Sequence, residues 1–151
     1  MASTVLQAIQ TANTAAGITT LAFANAQEFQ SFMDKYAFTD YPVNLVLPFS
    51  SAGTTLNGRR KEVVTISGFV FRRIPEDTNN WRSLAVEPAY IDPMRTLAIK
   101  FIKALLNTDI ADPEVEAVTD TITPEYQAHP AHLFGVRYSF SFPIIHNVCL
   151  S

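Results

Sequence analysis

The side chains in this sequence best suited to hold a metal or attack a substrate are three histidines and one cysteine, and their spacing supports neither chemistry. His129-Pro-Ala-His132 forms an H-x-x-H pair and His146 stands apart, whereas a zinc site needs three or four ligands in a defined geometry. Cys149 has no second cysteine with which to form an intramolecular disulfide, which suits a reducing compartment. It has no neighbouring group to activate a thiolate, so it reads as a small hydrophobe. The chain contains no G-x-S-x-G elbow, no phosphate-binding G-x-x-x-x-G-K-[ST] loop and no G-x-G-x-x-G turn. The carboxylates of Asp109, Asp112, Glu114 and Glu116 lie close together in sequence. They lack the spaced Asp/Asn ligands and the glycine of a calcium loop and read as a solvated segment. No catalytic, cofactor-binding or metal-ligating residue is assigned, and the chain is not read as an enzyme.

Residues suited to contact a macromolecule are better represented. Arg59, Arg60 and Lys61 follow one another, and Arg72 and Arg73 form a second basic pair. Charge at strand ends protects a sheet edge from aggregation, and it also suits an acidic neighbour or a phosphate backbone. The net charge of −3 argues against a protein whose main work is wrapping nucleic acid. Val63, Phe69 and Phe71 alternate with Val64, Ile66 and Val70, which makes one strand apolar on both faces. Such a strand must be covered on both faces, and another subunit is expected to supply one cover. The candidate subunit-interface residues are therefore Arg59, Arg60, Lys61, Phe69, Phe71, Arg72 and Arg73.

The elements that must position these residues follow from periodicity. Residues 3–16 place Val5, Leu6, Ile9 and Ala12 near helical spacing, with Gly17 as the stop. A short strand is expected over 19–24. Asn25 and Glu28 then form a capping-box pattern for a helix carrying Phe29, Phe32, Met33 and Tyr36. Residues 41–49 and 62–73 alternate as strands, and Pro48 requires a strand end or an edge. Between them lies a polar stretch, 50–61, with an Asn57-Gly58 step that favours a tight turn. The whole reads as a hairpin with a long polar tip. Residues 75–88, with Trp81, form an irregular connection. Asp92 is expected to cap a helix that begins at Pro93 and carries Met94, Leu97, Ala98, Phe101, Ile102 and Leu105 as an apolar stripe. A modest strand over 114–123 and a loop over 124–132 lead to the strongest alternation, 135–145. This order predicts one α+β domain over residues 1–151, with an N-terminal helical extension at 1–17 and an extended hairpin tip at 50–61. Its sheet is mostly antiparallel, built from two long hairpins, with helices packed on one face.

Composition bounds the rest. A chain of 151 residues that is 48% hydrophobic and 17% charged can close a core without disulfide or metal. It leaves apolar surplus for a full core or a partner surface. No apolar run reaches the ~20 residues of a spanning helix, and residues 1–16 do not read as a signal peptide. No membrane role is expected.

The layout as a whole resembles the tail terminator and tail-completion proteins of tailed bacteriophages, small α+β subunits of the neck, where head connector meets tail. The resemblance rests on Tyr41-Pro-Val-Asn-Leu-Val-Leu-Pro48 and the Asn57-Gly58 tip with its return over 62–73. The helix over 93–106 and the closing Phe134-Gly-Val-Arg-Tyr-Ser-Phe-Ser-Phe142 complete it. It covers roughly residues 5–150 and carries no catalytic residue. What it implies is a structural virion protein assembled in the bacterial host cytoplasm. The implied form is a homo-oligomeric ring of six copies or a multiple, through which DNA passes without sequence-specific reading. Its implied neighbours are other neck or portal proteins and tail proteins. The alternatives are a small-ligand-binding or enzymatic α+β domain, which would need convergent polar groups in a cavity, and a baseplate or sheath-terminating component of another contractile assembly.

Overall fold

The computed structural model describes residues 4–23, 42–56, 59–73, 90–111, 119–127 and 133–144. They form two helices and a six-stranded, mostly antiparallel sheet, an α+β fold. The elements are α1 (Val5–Ala16), β1 (Thr20–Phe23), β2 (Val43–Val46), β3 (Ser50–Leu56), β4 (Arg59–Arg73), α2 (Asp92–Leu106), β5 (Thr119–Gln127) and β6 (Leu133–Pro143). The expected helix after Asn25, the connection holding Trp81, and the three histidines and Cys149 lie outside the described residues.

Both helix starts have local causes. Thr4 accepts from the Gln7 amide at 3.1 Å, and the Gln7 side chain accepts from the Thr4 amide at 2.9 Å, a reciprocal capping box. Gly17 ends α1 at φ 77°, a conformation that glycine adopts without steric cost. Helix α2 begins one residue earlier than its sequence suggests. Ile91 is the cap and Asp92 is already helical, so its carboxylate caps nothing and instead pairs with Arg95 at 2.8 Å.

The long strand β4 is the spine of the sheet. Along one side it pairs first with β3 and then with β2, and along the other with β6, which in turn pairs with β5. β1 closes the β2 edge in parallel. Between Val46↔Gly68 and Ser50↔Thr65, three residues (Leu47, Pro48, Phe49) stand against two (Ile66, Ser67). This is a one-residue bulge, and Pro48, which has no amide to donate, sits in it. The expected strand over 41–49 thus ends at Val46, and β3 begins only after the bulge, at Ser50. Pro124 behaves similarly. The expected loop over 124–132 begins later, because β5 is an edge strand and runs through the proline to Gln127.

Alternation assigns the faces. Val64, Ile66 and Val70 of β4 and Phe134, Val136, Tyr138, Phe140 and Phe142 of β6 join the helices in one core. From α2 come Met94, Ala98, Phe101, Ile102 and Leu105, and from α1 come Val5, Ala8, Ile9 and Ala12. The N-terminal helix is therefore part of the core layer and not an extension from it. Its alanines bring α1 close against α2. Phe101 lies 5.6 Å from the Tyr138 ring and 6.4 Å from Phe140, the latter edge-on.

A polar chain runs through this apolar layer. The Tyr138 hydroxyl donates to Asn44 Oδ1 at 2.8 Å, Asn44 Nδ2 donates to Asn13 Oδ1 at 3.1 Å, and Asn13 Nδ2 donates to the Ile18 carbonyl at 3.1 Å. Asn44 and Tyr138 are fully enclosed. Gly68 makes the crossing possible, since a Cβ there would fall 2.7 Å from the Tyr138 hydroxyl and 2.4 Å from the Leu45 carbonyl oxygen. Burial holds the Tyr138 phenol neutral far above its ordinary pKa of 10.0.

Two outcomes follow. Phe101→Ala is expected to cost about 3–5 kcal/mol in urea unfolding, because a ring with no exposed surface leaves a cavity. Tyr138→Phe leaves Asn44 Oδ1 unpaired and is expected to cost about 1–3 kcal/mol at neutral pH. It also changes the alkaline limb. Above pH 10 the unfolded chain ionises this phenol while the folded chain does not, so the wild type loses up to about 1.4 kcal/mol per pH unit from this group. Unfolding measured from pH 9 to 11 should show a shallower decline in the Phe variant by that amount.

Candidate functional site: the basic hairpin arm

The polar stretch 50–61 is not an irregular tip. Ser50 to Leu56 pair residue by residue with Thr65 to Arg59, so only Asn57 and Gly58 join the two strands. The Asn-Gly step favours two-residue connections of this kind. β3 lies on the side of β4 opposite β6, and β6 begins its pairing at Val63. Among the described residues, 54–56 and 59–61 therefore continue past the β4–β6 pairing as a two-stranded ribbon, about 10 Å long at ~3.3 Å per residue. Ser50, Ser51, Ala52 and Gly53 are exposed, and no strand pairs with the outer edge of β3 among the described residues.

All seven residues singled out in the sequence stand on β4, but the strand separates them into three groups. Arg59, Arg60 and Lys61 occupy the ribbon. Arg72 and Arg73 lie at the other end, roughly 35–45 Å away along the strand, so the two basic groups do not make one patch. Arg72 is exposed, with its guanidinium 5.7 Å from the centre of the Tyr90 ring, a cation–π contact beside the start of α2.

Phe69 and Phe71 lie between, on the sheet face away from the helices. Their rings stack at 5.2 Å, with Val43 and Leu45 of β2 on the same face. Phe71 is fully enclosed and Phe69 is 9% exposed within the single chain. The expectation that another subunit covers this face is therefore corrected. Both faces of β4 are covered from within the chain at these positions, and Phe69 and Phe71 are core residues. Further toward the ribbon the same face turns polar. Thr65 and Ser141 share a hydrogen bond at 2.8 Å, Ser67 and Ser139 pair across the strands, and Arg137 lies 5.6 Å over the Phe69 ring.

At the root of the ribbon the sheet has two lateral edges. The Ile144 amide donates to the Glu62 carbonyl at 3.0 Å, and Ala111 bridges Ile144. Gly53, Glu62, Ile144 and Ala111 thus stand side by side. One edge belongs to β3, the other to the segment after α2, where Asp109 and Asp120 are exposed. Asp109 belongs to the carboxylates expected in a solvated segment, whereas Asp120 falls in the expected strand over 114–123 and stands on β5. Only the β4–β6 register reveals that Ala111 stands two strands from Glu62, on the side of β4 away from β3.

No group of three or more His, Cys, Asp or Glu side chains suited to a metal occurs among the described residues. No described helix is long and apolar enough to cross a membrane. Comparison with protein-family models and with curated proteins finds no match for the chain.

The pairing decides which deletion is informative. Removing 52–56 alone would strip β4 of its partner and shift the register. Removing 54–56 together with 59–61 instead closes Gly53-Asn57-Gly58-Glu62 as a shorter hairpin in the same register. This trimmed protein is expected to unfold within about 1 kcal/mol of the wild type, because an unsupported two-stranded ribbon is marginal in itself. A larger loss in denaturant melts would show that the ribbon is built into the core.

Proposed function

We propose that this chain is a structural subunit of a homo-oligomeric ring in the neck or tail terminus of a tailed bacteriophage, joining the head connector to the tail. The observation that carries the reading is the two-stranded basic arm that continues past the β4–β6 pairing, beyond a strand whose Phe69 and Phe71 are already buried within the chain. An arm with so little core of its own is suited to contact something else, and its composition suits a polar interface. The order of elements, with a long hairpin, a helix on the sheet and the closing strand over 134–142, supports the family resemblance. The partners of this reading are further copies of the chain, the adjoining neck or portal and tail proteins, and DNA passing through the ring, which is contacted through backbone charge alone.

Ring subunits meet through heterologous contacts, one patch against a different patch on the next copy. The expected outcome is a closed ring of six copies or a multiple, seen by size-exclusion chromatography with light scattering and by negative-stain microscopy. A monodisperse monomer at high concentration, together with absence from any ring in assembled particles, would overturn the reading.

A further inference from the structure

Two hydrogen bonds on β4 determine which way the backbone of β3 points. The Ser67 carbonyl accepts from the Leu47 amide on the β2–β3 side, and the Glu62 carbonyl accepts from the Ile144 amide on the β6 side. Successive residues of a strand turn their N–H and C=O groups to opposite sides. Odd-numbered residues of β4 therefore serve β3, and even-numbered ones serve β6. Thr65, Val63, Lys61 and Arg59 exchange bonds with Ser50, Ala52, Thr54 and Leu56. Ser51, Gly53 and Thr55 stand opposite even-numbered residues, so their N–H and C=O groups point to the outer edge. Ser51 and Gly53 are exposed, and no hydrogen bond engages these groups among the described residues. The other lateral edges are protected in ways that β3 is not. β5 carries Asp120, Pro124 and Glu125, and β1 has only four residues. Charge, proline and short length all discourage pairing with another chain. β3 runs for seven residues with no charge, no proline and no bulge, and Ser50 to Gly53 are all small.

We infer that β3 of one copy pairs with β3 of a second copy, antiparallel about a two-fold axis at Gly53. Outward-pointing residues must meet outward-pointing residues. The register that overlaps all seven residues sets Gly53 against Gly53 and Ser51 against Thr55. It makes about six backbone hydrogen bonds and joins two sheets into one. Charge favours the antiparallel sense. Arg59, Arg60 and Lys61 stand beside the tip end of β3, so the two-fold axis sends the two basic groups to opposite ends of the joint. Their backbones are then ~20 Å apart, from ~3.3 Å per residue and ~4.8 Å per strand. That is about two Debye lengths at physiological salt. Parallel pairing would set them side by side at ~14 Å. The contact is isologous, so it differs from the heterologous contacts of the ring reading and does not rest on them.

The test uses full-length wild type, Ser51→Pro and Gly53→Lys, with folding checked by circular dichroism and thermal melts. Proline at 51 removes an outward N–H and leaves the bonds to β4 in place. Lysine at 53 sets two like charges opposite each other on the axis. In light scattering each variant is expected to show half the mass of the wild type, or to need roughly tenfold or more protein to reach it. Raised NaCl should restore pairing of the lysine variant and not of the proline variant. Under mild oxidation, Gly53→Cys/Cys149→Ser should cross-link into a covalent dimer, because position 53 meets itself at ~5.5 Å between Cα atoms. Ser51→Cys/Cys149→Ser should not, because position 51 meets Thr55. Cross-linking at 51 and not at 53, or a monomeric wild type, would overturn the contact. A ring whose mass is unchanged in both folded variants would overturn it and leave the ring reading standing. A wild-type dimer that falls to monomer in both variants would uphold it and overturn the ring reading.

Discussion

The hydrogen bond from Tyr138 to Asn44 is the constraint on which the rest of the core depends. It crosses β4 above Gly68, and no side chain larger than hydrogen leaves it room. Through Asn13 and the Ile18 carbonyl it continues into the end of α1. Three parts of the chain far apart in sequence, β6, β2 and α1, are thereby held in one register. Apolar packing alone would tolerate a shift of α1 along the sheet, because Ala8, Ala12 and Ala16 offer similar surfaces. A buried polar group tolerates no such shift, since an unpaired donor or acceptor there loses its hydration without compensation. The chain of bonds therefore specifies an arrangement that burial stabilises but does not select.

β4 imposes a second constraint. It bears the pairing of β2, β3 and β6, and it must accept close approach at two points. At Gly68 the Tyr138 ring passes over it. Opposite Phe71, a Cβ on Gly135 would fall 1.9 Å from the Val70 carbonyl oxygen, which is backbone and cannot yield. Both glycines lie inside strands, where the residue ordinarily weakens the element. Here the loss is offset by an aromatic ring laid across one and by close backbone packing at the other. The bulge at Pro48 then lets the partner of β4 change from a buried strand, β2, to an exposed one, β3, without a break in the ladder.

Much of this was legible in the sequence, where periodicity and capping act locally. The stripe on α2, the stop at Gly17, and the alternation of 64, 66 and 70 against 69 and 71 follow from side-chain spacing alone. The candidate site was legible only in part. Arg59, Arg60 and Lys61 could be read as a basic group at a hairpin, but Ser-Ser-Ala-Gly-Thr-Thr reads as loop by propensity. It forms a strand because strand preference depends chiefly on what lies alongside, and β4 is a rigid template there. Phe69 and Phe71 were assigned to an interface because a doubly apolar strand needs two covers. Sequence reports the need and not which chain supplies it. Asp92 looked like a cap because Pro93 follows it, yet Ile91 takes that position.

The distribution of core and edge explains why the arm can exist at all. A two-stranded ribbon buries little and orders many residues, so by itself it sits near zero stability. In this fold one of its strands is the direct continuation of β4, whose register from Val63 onward is set by eleven consecutive pairs with β6. The extension therefore begins already aligned, and β3 needs only to add bonds to a strand whose conformational freedom is lost for other reasons. Past Glu62 the described residues show no further pairing from the β6 side, and among them Thr54, Thr55 and Leu56 pair only with Lys61, Arg60 and Arg59. Stability thus falls along the arm from root to tip while its cationic character rises. An acidic partner bound at the tip would reverse that gradient, because it would stabilise the residues that the fold itself stabilises least.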